Sequence, residues 1–278
     1  MMNTLYNPTW IRNFYNDYGM KEWDRWERDP LGRVKWLVHV HYLRKYLPAG
    51  KRVLEIGAGA GRFTQVLAEM TSHITVADIS PGQLELNRQQ AKAHGFDHAV
   101  EGRDECDMTD LQGVFADEEF DAVVCLGGPV SYLFDRAEDG IRELMRVTKP
   151  GGPIFLEVMT LWGIIHEMLP SILTIDPAIN RQIVATGDLV PSLLAGKHHC
   201  RMYRAADFRR LLEGIGLLIE LMFTSNVLTA TWGEKLREIP EDSETWKHLM
   251  AMELQACREP GCLDMGTHLV AVCRKPQE

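Results

Sequence analysis

A chain of 278 residues, 45% hydrophobic and 25% charged, has the makeup of a globular protein that buries a core without covalent staples. Thirty Lys and Arg against 39 Asp and Glu leave a net charge of -9, which argues against gripping nucleic acid or an anionic membrane through bulk charge. No apolar run approaches the ~18 residues of a membrane span, and the opening MMNTLYNPTWIRNFYNDYGM lacks the basic and apolar regions of a signal peptide.

Residues 1–50 carry four of the seven tryptophans and five of the seven tyrosines. Two or three short helices are expected there, the last over 33–47 and stopped by Pro48-Ala49-Gly50. A strand–helix alternation begins at Lys51. Strands are predicted at 52–56, 74–77, 99–100, 121–126 and 153–158. Helices are predicted at 61–70, from Ser80-Pro81 to about 94, and at 135–148. A helix at 204–214 and strands at 217–223 and 268–274 complete the pattern. Alternation of this kind means a parallel sheet covered on both faces. Segments 160–203 and 225–266 interrupt it and read as insertions, where substrate sites are commonly built.

Six cysteines, at 106, 125, 200, 257, 262 and 273, form no C-x-x-C pair. The spacing of Cys257 and Cys262 has no matching second pair, so no metal is expected. Cys125 and Cys273 read as small core hydrophobes. The expected compartment is reducing and cytoplasmic.

The strongest local signal is Glu55-Ile56-Gly57-Ala58-Gly59-Ala60-Gly61, which leaves a strand and opens a helix. Glycines let the backbone turn sharply and approach a ligand closely. A pyrophosphate loop wants its third glycine one residue later, and Glu55 suits an ammonium better than a phosphate. Asp78 ends the second strand, 21 residues beyond Gly57, where an acid accepts from a ribose diol. Cys106-Asp107-Met108 follows the third strand, where a carboxylate can accept from an exocyclic amine.

VLEIGAGAGRF, VADIS, CDMTDL, DAVVCLGG and RVTKPGG, in this order and spacing, resemble the class I S-adenosylmethionine-dependent methyltransferases, in their small-molecule branch of the type 11/25 kind. The resemblance covers residues 51–160 closely. It implies an α/β, doubly wound, Rossmann-like sheet of seven strands with the last antiparallel. An N-terminal helical lid (1–50) would precede a domain (51–278) with insertions at 160–203 and 225–266. It implies S-adenosyl-L-methionine as cofactor, with its methionine part at Glu55, Gly57, Ala58, Gly59 and Gly61. The ribose would lie at Asp78 and Ile79, the adenine at Asp107 and Met108, and the region near the sulfonium at Leu126 and Gly127. Cys106 stands where many members have glycine. The stretch from Tyr15 through Trp23 to Arg33 resembles the lid of glycine N-methyltransferase-type enzymes. That implies Tyr15 or Trp23 over the cofactor and Arg33 on its carboxylate.

After the fourth strand the chain reads Leu126-Gly127-Gly128-Pro129, not the Asn/Asp-Pro-Pro-Tyr/Phe of base-amino and glutamine methyltransferases. A small-molecule acceptor, methylated at N or O, is therefore expected, with neither nucleic acid nor membrane as partner. A general base is needed only if the acceptor must lose a proton. Candidates are His166, Tyr132 and Glu157, then His198 and His199. Two alternatives stand beside this reading. One is an NAD-dependent oxidoreductase, disfavoured by the glycine spacing and Glu55. The other is a non-catalytic S-adenosylmethionine-binding protein.

Overall fold

The computed structural model describes residues 5–190, 193 and 199–277. The chain opens with α1 (Pro8–Tyr18), whose first turn is set by Pro8 and by the Asn7 side chain accepting from Trp10 N. Gly19, at φ +56°, ends it. The short α2 (Lys21–Asp24) follows, then α3 (Pro30–Tyr46), capped by Asp29 accepting from Gly32 N. The alternating core runs β1 (Val53–Ile56), α4 (Arg62–Ala68), β2 (Ile74–Asp78), α5 (Pro81–Ala93), β3 (Val100–Glu105), β4 (Ala122–Cys125), α6 (Ala137–Val147) and β5 (Pro153–Met159). Ser80 caps α5 through Gln83 N, with Pro81 at the first helical position, as its sequence predicts.

Between β5 and the next core helix lie α7 (Leu161–Glu167), α8 (Leu169–Ile172), α9 (Pro177–Thr186) and a small antiparallel pair, β6 (Asp188–Leu189) with β7 (Cys200–Arg201). The core resumes with α10 (Ala205–Ile215) and β8 (Leu218–Thr224). After α11 (Gly233–Leu236) and α12 (Glu244–Ala256), the chain closes on β9 (His268–Arg274).

The seven-stranded sheet has the order β3-β2-β1-β4-β5-β9-β8. β1 to β5 are parallel, and β9 inserts antiparallel between β5 and β8. The last strand in the chain is thus the antiparallel one, in a doubly wound, Rossmann-like arrangement. The third strand is longer than its sequence suggests. As an edge strand reading VEGRDE it is mostly exposed or half-buried, so no apolar periodicity marks it.

Side chains alternate across the sheet into two cores. Leu54, Ile56, Val123, Cys125, Leu156 and Val158 pack with α6 and α10 on one face. Val53, Val76, Val124, Phe155, Val270 and Val272 pack with α3, α4 and α12 on the other. Helix α3 is a core element, with Val34, Val38, Tyr42 and Leu43 buried. Helix α1 buries only Ile11 and lies across the carboxyl ends of the strands. No helix among the described residues is long and apolar enough to cross a membrane.

Candidate active site

The carboxyl ends of β1, β2, β3 and β4 line one crevice, and residues 6–25 cover it. The crevice is partly open to solvent, with about 630 Å³ of empty space when its mouth is included. Its floor is Ile56, Gly57, Gly59, Asp78, Ile79, Cys106, Met108 and Gly127; Pro129, Tyr132 and Leu133 form a side wall. Tyr6, Ile11, Tyr15 and Glu22 form the roof.

The glycine loop is sterically compelled. Gly57 has φ +67°, and a Cβ there would stand 2.4 Å from Pro129 Cγ. Gly59, at φ +53°, would bring a Cβ within 2.9 Å of Glu22 Cγ. Both positions exclude any side chain. Ala58 and Gly61 shape the turn without lining the cavity, and Leu126 turns into the core on the α3 face.

Asp78 lines the cavity with both oxygens held from behind. Oδ2 accepts from Gly59 N at 2.9 Å and Oδ1 from Ser80 N at 2.8 Å. Burial raises its carboxyl to about 6 against the pull of these backbone N–H groups. At the next strand end Asp107 lies behind Cys106 and Met108. Its Oδ1 accepts from Tyr6 Oη at 2.7 Å and from Thr109 N and Oγ1, each at 2.8 Å. Leu5 N and Tyr6 N in turn donate to Asp135 Oδ1, so the chain start is latched over the β3 end.

Several sequence expectations change here. Glu55 does not point into the site. It shares the strand face of Val53, not that of cavity-lining Ile56, and Oε2 accepts from Thr64 Oγ1 at 2.6 Å beneath α4. Burial raises its carboxyl to about 8. Arg33 lies on the outer side of α3, with Nε 3.2 Å from Glu241 Oε2 and Nη1 3.9 Å from Glu27 Oε1. A different arginine, Arg25, stands at the edge of the crevice over Gly127. This guanidinium donates from Nη2 to Gly127 O at 3.3 Å, pairs through Nε with Glu22 Oε1 at 3.0 Å and stacks on Trp26. Its buried Nε–H is not aimed at a hydrogen-bond acceptor among the described residues. Trp23 does not line the cavity either. It stacks on His94, with the Arg62 guanidinium 4.3 Å from its ring. Tyr15 does line the cavity, and its hydroxyl donates to Tyr132 Oη at 2.8 Å.

The base candidates sort by position. His166 is exposed on α7, and His199 packs between Trp10 and Phe134. His198 lies outside the described residues. Glu157 sits behind the floor, where Oε2 accepts from Gly127 N at 2.5 Å and Oε1 is 3.2 Å from His39 Nε2. Burial alone would raise its carboxyl. The His39 charge and hydrogen bond, the His268 charge and the Gly127 N–H outweigh that and hold it at about 2. It therefore fixes the turn at Gly127 rather than taking protons in the cavity. Burial raises both tyrosine hydroxyls, and their mutual contact adds to the rise at Tyr132. They stay neutral at physiological pH. His268, at the crevice end of β9, escaped sequence reading. Its Nε2 is buried without a hydrogen-bond partner among the described residues, 3.7 Å from where a Cβ on Gly128 would stand. Among the described residues no three His, Cys, Asp or Glu side chains are placed to hold a metal ion.

The chain is similar to known methyltransferases. Residues 53–152 match the model of a methyltransferase domain family. A demethylmenaquinone methyltransferase of Clavibacter sepedonicus is 38% identical over 111 residues, which is 39% of this chain and 41% of that protein. A ubiquinone biosynthesis O-methyltransferase of Xanthomonas axonopodis pv. citri is 27% identical over 208 residues, 72% of this chain and 76% of that one. The chain thus spans about half or less of the length of the first curated relatives it matches. In fold it is similar to a chain of the complex between the Haloferax volcanii Trm112 methyltransferase activator and a methyltransferase. The TM-score is 0.61 at 16% identity, covering 96% of this chain and 98% of that one. Residues 53–152 thus carry a methyltransferase domain, set in a sheet of Rossmann-like order.

Proposed function

We propose that the protein transfers a methyl group from S-adenosylmethionine to a nitrogen or oxygen of a small molecule. The observation that carries this reading is the order of groups along one crevice. Cys106 and Met108 lie at the β3 end, Asp78 at the β2 end, and Glu22 with Arg25 over Gly59 and Gly127. The donor set suits the cofactor. Asp78 can accept from a diol, the glycine loop admits close backbone approach, and the Arg25 guanidinium over Gly127 can meet a carboxylate.

When bound, the cofactor supplies an electrophilic methyl group on a sulfonium. The chain's own residues bind, orient and exclude water. Tyr6 latches on Asp107, and Tyr15 hydrogen-bonds Tyr132, so the cover is held over the crevice at both ends. The paired phenols are neutral and orient an acceptor rather than deprotonate it. An acceptor that is already nucleophilic, an amine or an acidic hydroxyl, fits such a site. The quinone-biosynthesis relatives support a small molecule. The net charge of -9 and the absence of a planar-base motif speak against nucleic acid. Six free cysteines suit work in a reducing cytoplasm.

Calorimetry tests the reading. The protein should bind S-adenosylmethionine and its demethylated product, and not NAD. Asp78→Ala should weaken both by about 1.5–3 kcal/mol, the scale of hydrogen bonds to a charged group. Unchanged affinity in that variant, or labelled methyl incorporated into tRNA, rRNA or DNA, would contradict the assignment.

A further inference from the structure

The roof brings to the cavity one acid that the strand-end motifs do not account for. Glu22 lines the cavity over the glycine loop, its Cγ 2.9 Å from where a Cβ on Gly59 would stand. Four groups face it from four elements: Tyr15 from α1, Arg25 from its own helix, Asp78 from the end of β2 and Glu157 from β5. Arg25 sits on one side, with Nε 3.0 Å from Glu22 Oε1, and it reaches on to Gly127 O.

The position of Glu22 in this row gains its meaning from the proposed cofactor, and the inference rests on that reading. In S-adenosylmethionine the ribose is joined to the sulfonium, and the sulfonium leads to the amino-acid end. With the ribose at Asp78 and the carboxylate at Arg25, the group between them is the sulfonium. Glu22 is paired with Arg25 at 3.0 Å and is close enough to Asp78 to feel its charge. We propose that Glu22 distinguishes loaded from spent cofactor, by meeting a positive charge at sulfur that the demethylated product lacks. The acid is delivered by the cover, so the preference is made only when the cover is closed. Loss of that charge on methyl transfer removes an attraction between cover and ligand, which favours opening and exchange.

The protonation of Glu22 makes the proposal measurable. Burial, helped by the charges of Asp78 and Glu157 and opposed by Arg25, raises its carboxyl to about 7. A cation beside a carboxylate favours the ionised form. Binding of S-adenosylmethionine near neutral pH should therefore release a proton from Glu22. Its affinity should rise as pH rises through about 7 and fall below it. Asp78, raised to about 6, meets the same ribose in cofactor and product. Its direct contact with the ribose is therefore common to both affinities.

The experiment is calorimetry of S-adenosylmethionine and S-adenosylhomocysteine between pH 5.5 and 8.5, in buffers of differing ionisation enthalpy. In the native protein the preference for the sulfonium form should grow with pH, accompanied by proton release. An opposite charge moves a carboxylate by about one to three units, each unit being tenfold in affinity. Glu22→Gln should therefore lower the preference for the sulfonium form over the product about tenfold or more and abolish the pH dependence of that ratio. Measurable product binding in that variant also shows that the site is folded. Glu22→Asp should keep part of the preference and of the pH dependence. Equal weakening of both ligands would place Glu22 on the ammonium they share and overturn the proposal, as would a native ratio that does not change with pH. If Glu22→Gln does not fold, the native ratio and Glu22→Asp decide. Native protein that binds neither ligand contradicts the cofactor reading itself, a distinct outcome from binding both without preference.

Discussion

Helix α3 and the segment α1–α2 lie within the same 46 residues, yet they relate to the sheet in opposite ways. Helix α3 packs Val34, Val38, Tyr42 and Leu43 into the core beside Phe63 and Val270. The α1–α2 segment buries Ile11 and Trp23 and otherwise holds on through single polar contacts. Among these are Tyr6 on Asp107, Tyr15 on Tyr132, Arg25 on Gly127, Arg62 Nε on Trp23 O, Arg12 Nε on Ile79 O, Ser80 Oγ and Gly82 N on Asn16 Oδ1, and Gln83 Nε2 on the carbonyls of Tyr15 and Gly19. Burial of apolar surface is cooperative with the fold, whereas a few hydrogen bonds of modest net strength can open locally. We infer that α3 is scaffold and that α1–α2 acts as a lid.

That contrast can be broken first by removing core volume. Leu43→Ala on α3 should cost about 2–5 kcal/mol of stability, as large-to-small core changes do, measured by chemical denaturation. Cofactor affinity in the protein that remains folded should be native. A cost below about 1 kcal/mol would mean that α3 is not part of the scaffold.

The two arginines sharpen it next. Arg25→Ala should weaken binding of the cofactor and its product by about 1.5–3 kcal/mol, the range for a hydrogen bond to a charged group. Arg33→Ala, removing an exposed ion pair with Glu241, should change affinity by nothing measurable and stability by less than about 1 kcal/mol. The reverse pattern in calorimetry would return the carboxylate to Arg33.

The smallest effect concerns the latch. Tyr6→Phe removes the hydroxyl that donates to Asp107. It should raise exchange of the amides in α1 and lower affinity by about 0.5–1.5 kcal/mol, the net worth of one hydrogen bond. An unchanged exchange rate would show that the latch does not hold the lid.

The same division explains which parts of the site are legible in the sequence. The strand-end wall is local. Gly57, Gly59, Asp78, Ile79 and Met108 each end or follow a strand at short spacing, so strand, turn and ligand-facing residue are read together, whereas Asp107, expected beside Met108, turns to Tyr6 and Thr109. All five line the cavity. Glu55 fails by strand parity, because it is one residue before Ile56 and its side chain takes the opposite face. The edge strand β3 is hidden by its polar sequence. The lid contacts are long-range and carry no local mark. Glu22 and Arg25 read as an ordinary i, i+3 surface pair, and only docking onto Gly59 and Gly127 gives them a role. Arg33 lies in the first turn of α3, yet its partner Glu241 is 208 residues away. His199 is drawn out of contention by packing against Trp10 and Phe134, which spacing cannot reveal.

Hydrogen exchange on the full-length protein, with and without S-adenosylhomocysteine, tests most directly whether α1–α2 is a lid on a fixed cofactor crevice. Protection should rise on binding across 8–24 and stay unchanged, and high, across 30–46. Equal change in both segments, or none in either while calorimetry shows the ligand bound, would contradict the account.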